Sequence, residues 1–221
     1  MAESRQKLVV PAGEFSAWLA CYQQVQAQPA ECSEVPCGDC NACCRASYFV
    51  YIRPEEHSAL RRIPPVHLQK APPPYPAGFV MDHDEAGCCP MLHDGSCSIY
   101  DERPQTCRNY DCRAFAAAGL RFGPGPRANV DRRVGQWSFD YGSEFERSRH
   151  HAVCAAATFL KARRAMLPAG VVPLDPGELA RAAIAVHGLF VEMHGTAFSV
   201  TPASDAELIA AVLRRLERLG R

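Results

Sequence analysis

Cys37-Gly38-Asp39-Cys40-Asn41-Ala42-Cys43-Cys44 places four thiols inside eight residues. No hydrophobic core requires that density. Thiols at i, i+3 and i+6, separated by Gly, Asp, Asn and Ala, converge from a tight loop entering a helix onto one soft metal centre. The fold around this stretch is therefore expected to be irregular and organised by ligation.

Outward from it, the second half of the constellation lies between Cys88 and Cys112. Cys88-Cys89-Pro90 and Cys97 precede Ser98-Ile99-Tyr100-Asp101-Glu102-Arg103-Pro104-Gln105-Thr106-Cys107-Arg108-Asn109-Tyr110-Asp111-Cys112. Asp101 reads as an N-cap that puts Pro104 in the first turn of a short helix carrying Cys107. Of the twelve cysteines, eight form a coherent set by spacing: Cys37, Cys40, Cys43, Cys44, Cys89, Cys97, Cys107 and Cys112. Four thiolates complete either a tetrahedral zinc site or a [4Fe–4S] cluster, so eight allow two zincs, two clusters, a mixture, or one centre with spare thiols. Adjacent cysteines such as Cys43 and Cys44 point in different directions and so serve different centres, unless one of them is no ligand. Cys32, Cys88, His83 and His93 are further candidates, and Asp82 and Asp84 beside His83 equally suit an acidic turn without chemistry. Arg103 and Arg108 beside the second set would neutralise and hydrogen-bond an anionic thiolate centre.

These blocks, CxxCxxCC at 37–44, Cys89-Pro90, Cys97-x-Ile99-Tyr100, Arg103-Pro104-x-x-Cys107-Arg108 and Cys112, resemble a bacterial cysteine-cluster family described as a zinc- or iron-chelating domain. The resemblance spans roughly residues 37 to 112. It implies metal or iron–sulfur binding, and the family's link by name to flagellin lysine N-methylase implies, more distantly, an S-adenosylmethionine-dependent protein lysine methylase. The extra Cys32 and Cys88 depart from the pattern.

The rest of the chain bounds the class. With 24 Lys and Arg against 24 Asp and Glu the formal charge is zero, and the paired arginines are dispersed, so no nucleic-acid footprint is present overall. Residues 1–13 lack the apolar run of an export signal, and no stretch of about 18 apolar residues occurs, which predicts a soluble, cytoplasmic protein without membrane or nucleic-acid partners. The cysteines fall below the ~8–10% of disulfide-stapled secreted scaffolds, and in a reducing compartment clustered cysteine points to metal.

Phe15, Trp18, Leu19, Tyr22 and Val25 recur at helical spacing and predict a helix over about 14–25, with Cys21 as a packed thiol beside the stripe. Ser47 to Ile52 and Gly78 to His83 read as strands, Pro54 to Arg62 as a helix with His57 on its surface, and the prolines at 64, 65, 72, 73, 74 and 76 as an extended spacer. The Gly119–Pro126 run suggests a boundary between a metal-binding region, 1–122, and a helical region, 123–221, packed as one unit. Three helices, about Glu144–Met166, Pro176–Phe190 and Asp205–Leu219, follow a weak strand between Val134 and Tyr141; Asp175 with Glu178 and Ser204 with Glu207 have capping-box spacing, and Cys154 is a packed thiol.

The fold class is thus α+β, mostly helical: a small irregular Cys-rich core with short strands, packed with C-terminal helices. Its function is expected to be metal binding through zinc or an iron–sulfur cluster. Alternatives are the methylase, against which no Gly-rich strand-to-helix loop and no CxxxCxxC occurs, and a metal-handling or redox protein that exchanges metal or electrons with a protein partner through Cys32 and Cys88.

Overall fold

The computed structural model describes residues 8–28, 35–73, 75–194, 197–200 and 205–219. In chain order these form β1 (Val10–Glu14), α1 (Phe15–Ala27), β2 (Val50–Ile52), α2 (His57–Arg62), β3 (Leu68–Lys70), β4 (Phe79–Met81), β5 (Leu92–His93), β6 (Ser96–Cys97), α3 (Gln105–Arg108), α4 (Arg113–Ala117), α5 (Ala128–Val134), β7 (Trp137–Asp140), α6 (Glu144–Ala162), α7 (Pro176–Val186), β8 (Val191–His194), β9 (Ala197–Val200) and α8 (Asp205–Leu219). Among the described residues helix predominates and the sheets are short, an α+β fold that is mostly helical. No helix among the described residues is long and apolar enough to cross a membrane.

Two compact units divide it, one of Met1–Ala20, Cys112–Arg121 and Val134–Arg221, the other of Cys21–Asp111 and Phe122–Arg133. In the first, β1 pairs parallel with β7, Val10 opposite Trp137 and Glu14 opposite Asp140. Phe139 sets its ring edge-on to Phe15 at 5.2 Å, and His150 of α6 stacks on Phe15 at 4.6 Å. α6 packs on α7, its buried small residues Ala152, Ala156 and Ala157 permitting close approach, and Phe159 meets Phe190 at 5.5 Å. Ser143 caps α6 by accepting from Glu146 N, and Asp175 caps α7 by accepting from Gly177 N and Glu178 N.

The second unit is built on a three-stranded antiparallel sheet in the order β2-β4-β3 and on the β5–β6 hairpin. Its apolar centre is Val50, Ile52, Ala59, Ile63, Met81, Met91 and Ile99. The sheet requires a small residue at one point, because a Cβ on Gly78 would stand 2.7 Å from the Ile52 carbonyl oxygen.

Several expectations change in detail. The α1 stripe is buried as expected, but Cys21 is exposed, since it lies at the edge of the stripe where the helix turns to solvent. The 64–76 spacer contains a 3-10 turn, Pro65–His67, and strand β3, because Leu68, Gln69 and Lys70 keep their N–H groups between the prolines and can enter a ladder. Pro54 and Glu55 lie outside α2, where Glu56 occupies the N-cap position and uses its carboxylate elsewhere. The helix expected over Pro176–Phe190 ends at Val186; His187–Phe190 tightens to 3-10, which breaks the 3.6-residue period and leaves Leu189 37% exposed. Ser204 lies outside the described residues.

Candidate metal centre

The Cys37–Cys44 stretch is a turn followed by a single helical turn. Cys40 N donates to Cys37 O at 3.0 Å, with Gly38 at φ 53°, the left-handed conformation that glycine adopts without strain. Cys43–Arg45 is a 3-10 turn. Two latches fix this stretch to the hairpin segment: Asn41 Nδ2 donates to Gly95 O at 2.8 Å, and Cys89 N donates to Cys44 O at 2.7 Å. A third contact lies just beyond, where Ser47 N donates to Gly87 O at 3.0 Å. Ser47 itself has φ 53°, and a Cβ on Gly87 would meet its Oγ at 2.4 Å, so this crossing depends on glycine.

Cys89, Cys97 and Cys107 all pack against the apolar centre of the second unit, although they come from a turn, from β6 and from α3. Leu92 N donates to Cys89 O at 2.9 Å, and Leu92 pairs with Cys97 across the hairpin. α3 is held by Glu56, whose Oε1 accepts from Gln105 N at 2.5 Å and whose Oε2 accepts from Arg53 N at 2.8 Å. Thr106 Oγ1 adds a bond of 2.6 Å to Tyr51 O. The expected cap at Asp101 is replaced: Tyr100–Glu102 forms a 3-10 turn and Pro104 takes the N-cap position, since its ring fixes an extended-to-helical transition there.

Electrostatics tie these thiols together. Burial raises Cys107 well above the ordinary thiol value, and Cys43, Cys89 and Cys97 raise it further against the Arg103 guanidinium. Burial likewise raises Cys89, with Cys97 and Cys43 adding to the shift. Cys43 is raised first by its hydrogen bond with the Cys44 thiol and then by the protein packed around its sulfur, although the residue as a whole keeps exposed surface. Cys37 is pushed up to about 11 by burial, then by Cys43 and Cys40, while Arg133 pulls it down. Thiols that raise one another in this way are those a bound cation would convert to thiolates.

The remaining candidates have other partners. Cys112 is buried in the first unit, its sulfur accepting from Trp137 Nε1 at 3.2 Å. Cys88 Sγ stands 3.8 Å from Arg45 Nη1. His83 is engaged with its own turn, Nδ1 being 3.2 Å from Asp84 O and Nε2 3.4 Å from Asp82 Oδ1, while Asp84 Oδ1 accepts from Ala86 N and Cys88 N. His93 is exposed on β5. Cys32 lies outside the described residues. Arg103 stacks on Tyr100 at 3.9 Å and donates to its carbonyl, and Arg108 donates to the carbonyls of Arg103 and Asp101. Cys154 donates to Ala117 O at 3.2 Å, in keeping with a packed thiol.

Four positioning residues escaped the sequence reading: Asn41, Arg45, Glu56 and Arg133. Arg133 Nη2 donates to both Pro36 O and Cys37 O at 3.2 Å, from nearly a hundred residues away, and nothing local announces it. Asn41 lay inside the motif but read as a spacer. Among the described residues no three His, Cys, Asp or Glu side chains stand together as a formed cation cage. The donor chemistry nonetheless fits zinc or iron, since soft thiols from several segments face one apolar centre.

Residues 36–123 match the family model described as "CxxCxxCC: Putative zinc- or iron-chelating domain". No curated protein and no solved structure matches the chain.

Proposed function

We propose, from the premise that residues 36–123 carry a CxxCxxCC chelating domain, that this chain is a metal-binding protein in which zinc or an iron–sulfur cluster holds the Cys-rich unit together. The observation that carries the reading is the gathering of Cys89, Cys97 and Cys107 onto one apolar centre, with the Cys37–Cys44 stretch latched to the same hairpin. A structural metal contributes its binding free energy to folding directly, which suits a unit whose sheets are two and three strands wide. When bound, the metal would supply electrostatic cross-linking of thiolates from separate segments. The protein's own part is to hold those segments: Glu56 fixes the start of α3, Asn41 fixes the loop, and Arg103 places positive charge beside Cys107.

The test is anaerobic purification followed by a visible absorption spectrum and by zinc, iron and sulfide analysis of one sample. Stoichiometric metal is expected. Zinc in a colourless protein selects a structural ion, and iron with sulfide in a coloured one selects a cluster. A folded chain with no bound metal, and none taken up on addition of zinc or on iron–sulfur reconstitution, would sink the reading.

A further inference from the structure

We infer that α5, which lies outside the matched span of residues 36–123, is a strap that grips the CxxCxxCC loop at both ends and so sets how tightly the loop holds metal. This rests on the metal-binding reading, and it requires no choice among the loop's thiols as ligands.

The grip before the loop is Arg133. Its Nη2 donates at 3.2 Å to Pro36 O and at 3.2 Å to Cys37 O, and the Cys37 carbonyl also accepts from Cys40 N at 3.0 Å. A guanidinium is a rigid fork of donors, so bonds to two successive carbonyls fix the direction in which the chain enters the loop. The grip after the loop is Arg127, the residue immediately before α5. Its guanidinium carbon stands 4.8 Å from the centre of the Tyr48 ring and 5.2 Å from that of Phe122, a cation on two aromatic faces. The Tyr48 hydroxyl in turn lies 3.0 Å from that of Tyr110. About 9 Å of helix separates the two arginine backbones, so one short element carries both grips.

α5 is anchored independently of the loop. Asp131 accepts from Phe122 N at Oδ1 and from Gly123 N at Oδ2, both at 2.8 Å, and Val130 beside it is buried. Arg132 is exposed, whereas Arg133 is half-buried against the loop, which separates two residues that look alike in the sequence. All of these residues belong to the Cys-rich unit. The physical consequence is preorganisation. A loop held at both ends has less freedom to lose when thiolates close on a cation than a loop held by its ligands alone. The strap also brings two positive charges to a segment whose thiols become anionic on ligation.

Zinc competition on the full chain tests this. The metal-free protein is loaded with zinc, and its affinity and zinc-release rate are read against a chromophoric chelator. Arg133→Met keeps the aliphatic stem and removes the donors. It is expected to lose roughly 10- to 100-fold in affinity, the range for residues that orient metal ligands, while its circular dichroism at saturating zinc matches the wild type. Arg133→Lys, which keeps a charge and a donor, is expected to fall between the two, and Arg132→Met to equal the wild type. Wild-type affinity in Arg133→Met, or an equal loss in Arg132→Met, overturns the inference. If Arg133→Met does not fold at saturating zinc, Arg127→Leu decides, since it leaves the Arg133 bonds in place: faster zinc release than wild type supports the strap, and wild-type release overturns it. If the chain takes up only iron and sulfide, the same comparison is made on cluster retention. A wild-type chain that takes up neither zinc nor a cluster defeats the metal-binding reading and the strap with it, whereas wild-type uptake with unchanged variants defeats the strap alone.

Discussion

Glu56 is a surface carboxylate by sequence, one of a pair after a proline, yet its two oxygens satisfy Arg53 N and Gln105 N and so join α2 to the helix bearing Cys107. Removing it leaves two backbone donors without their acceptor, at a cost of about 1–3 kcal/mol. Glu56→Ala is therefore expected to lower the urea midpoint by that equivalent, and Glu56→Gln, which keeps one oxygen acceptor, by less. His150 behaves oppositely to a surface histidine. Its ring stacks on Phe15, its Nδ1 lies 2.5 Å from the Tyr141 hydroxyl, and burial holds its pKa below the ordinary value, against the carbonyls of Ala116 and Ala117. Because the unfolded chain takes up this proton first, the contribution to stability is complete above about pH 6.5 and is lost as pH falls through the depressed folded value. An NMR titration of the folded chain should place the His150 midpoint below 6.5; a midpoint at or above it contradicts the packing described.

The elements divide by how local their causes are. α7 is written in the sequence, since Asp175 accepts from Gly177 N and Glu178 N and Pro176 opens the first turn. Asp175→Ala should cost about 1 kcal/mol in thermal or urea unfolding. The short strands are different. β4 is three residues long and depends on its neighbours β2 and β3 and on the absence of a side chain at Gly78. Gly78→Ala drives a methyl against the Ile52 carbonyl and the Tyr51 ring, an overpacking expected to cost roughly 1–3 kcal/mol. A wild-type midpoint for that variant would mean the β2–β4 pair yields freely. β3 escaped detection because prolines on both sides disguised three residues with free N–H groups as linker.

For the whole molecule, the Cys-rich unit and the helical unit are expected to respond differently to metal removal. Chelation should expose the amides of β2, β4, β6 and α3 to hydrogen exchange while α6 and α7 keep their protection, as read by mass spectrometry; uniform loss across both would show that the metal supports the entire fold. The sequence by itself determined the helices with their stripes and the Asp175 cap, because helical period and capping are local properties. It also determined the chemistry, because eight thiols in two spaced sets with their arginines suit a soft metal whatever fold carries them. Which thiols share a floor was decided by the tertiary structure alone. Cys89, Cys97 and Cys107 come onto one apolar centre through the β5–β6 hairpin and the Glu56 anchor of α3, contacts that no spacing along the chain encodes. Likewise only the folded chain places Arg133 on the Cys37 turn, because a guanidinium reaching a backbone carbonyl leaves no pattern at either end.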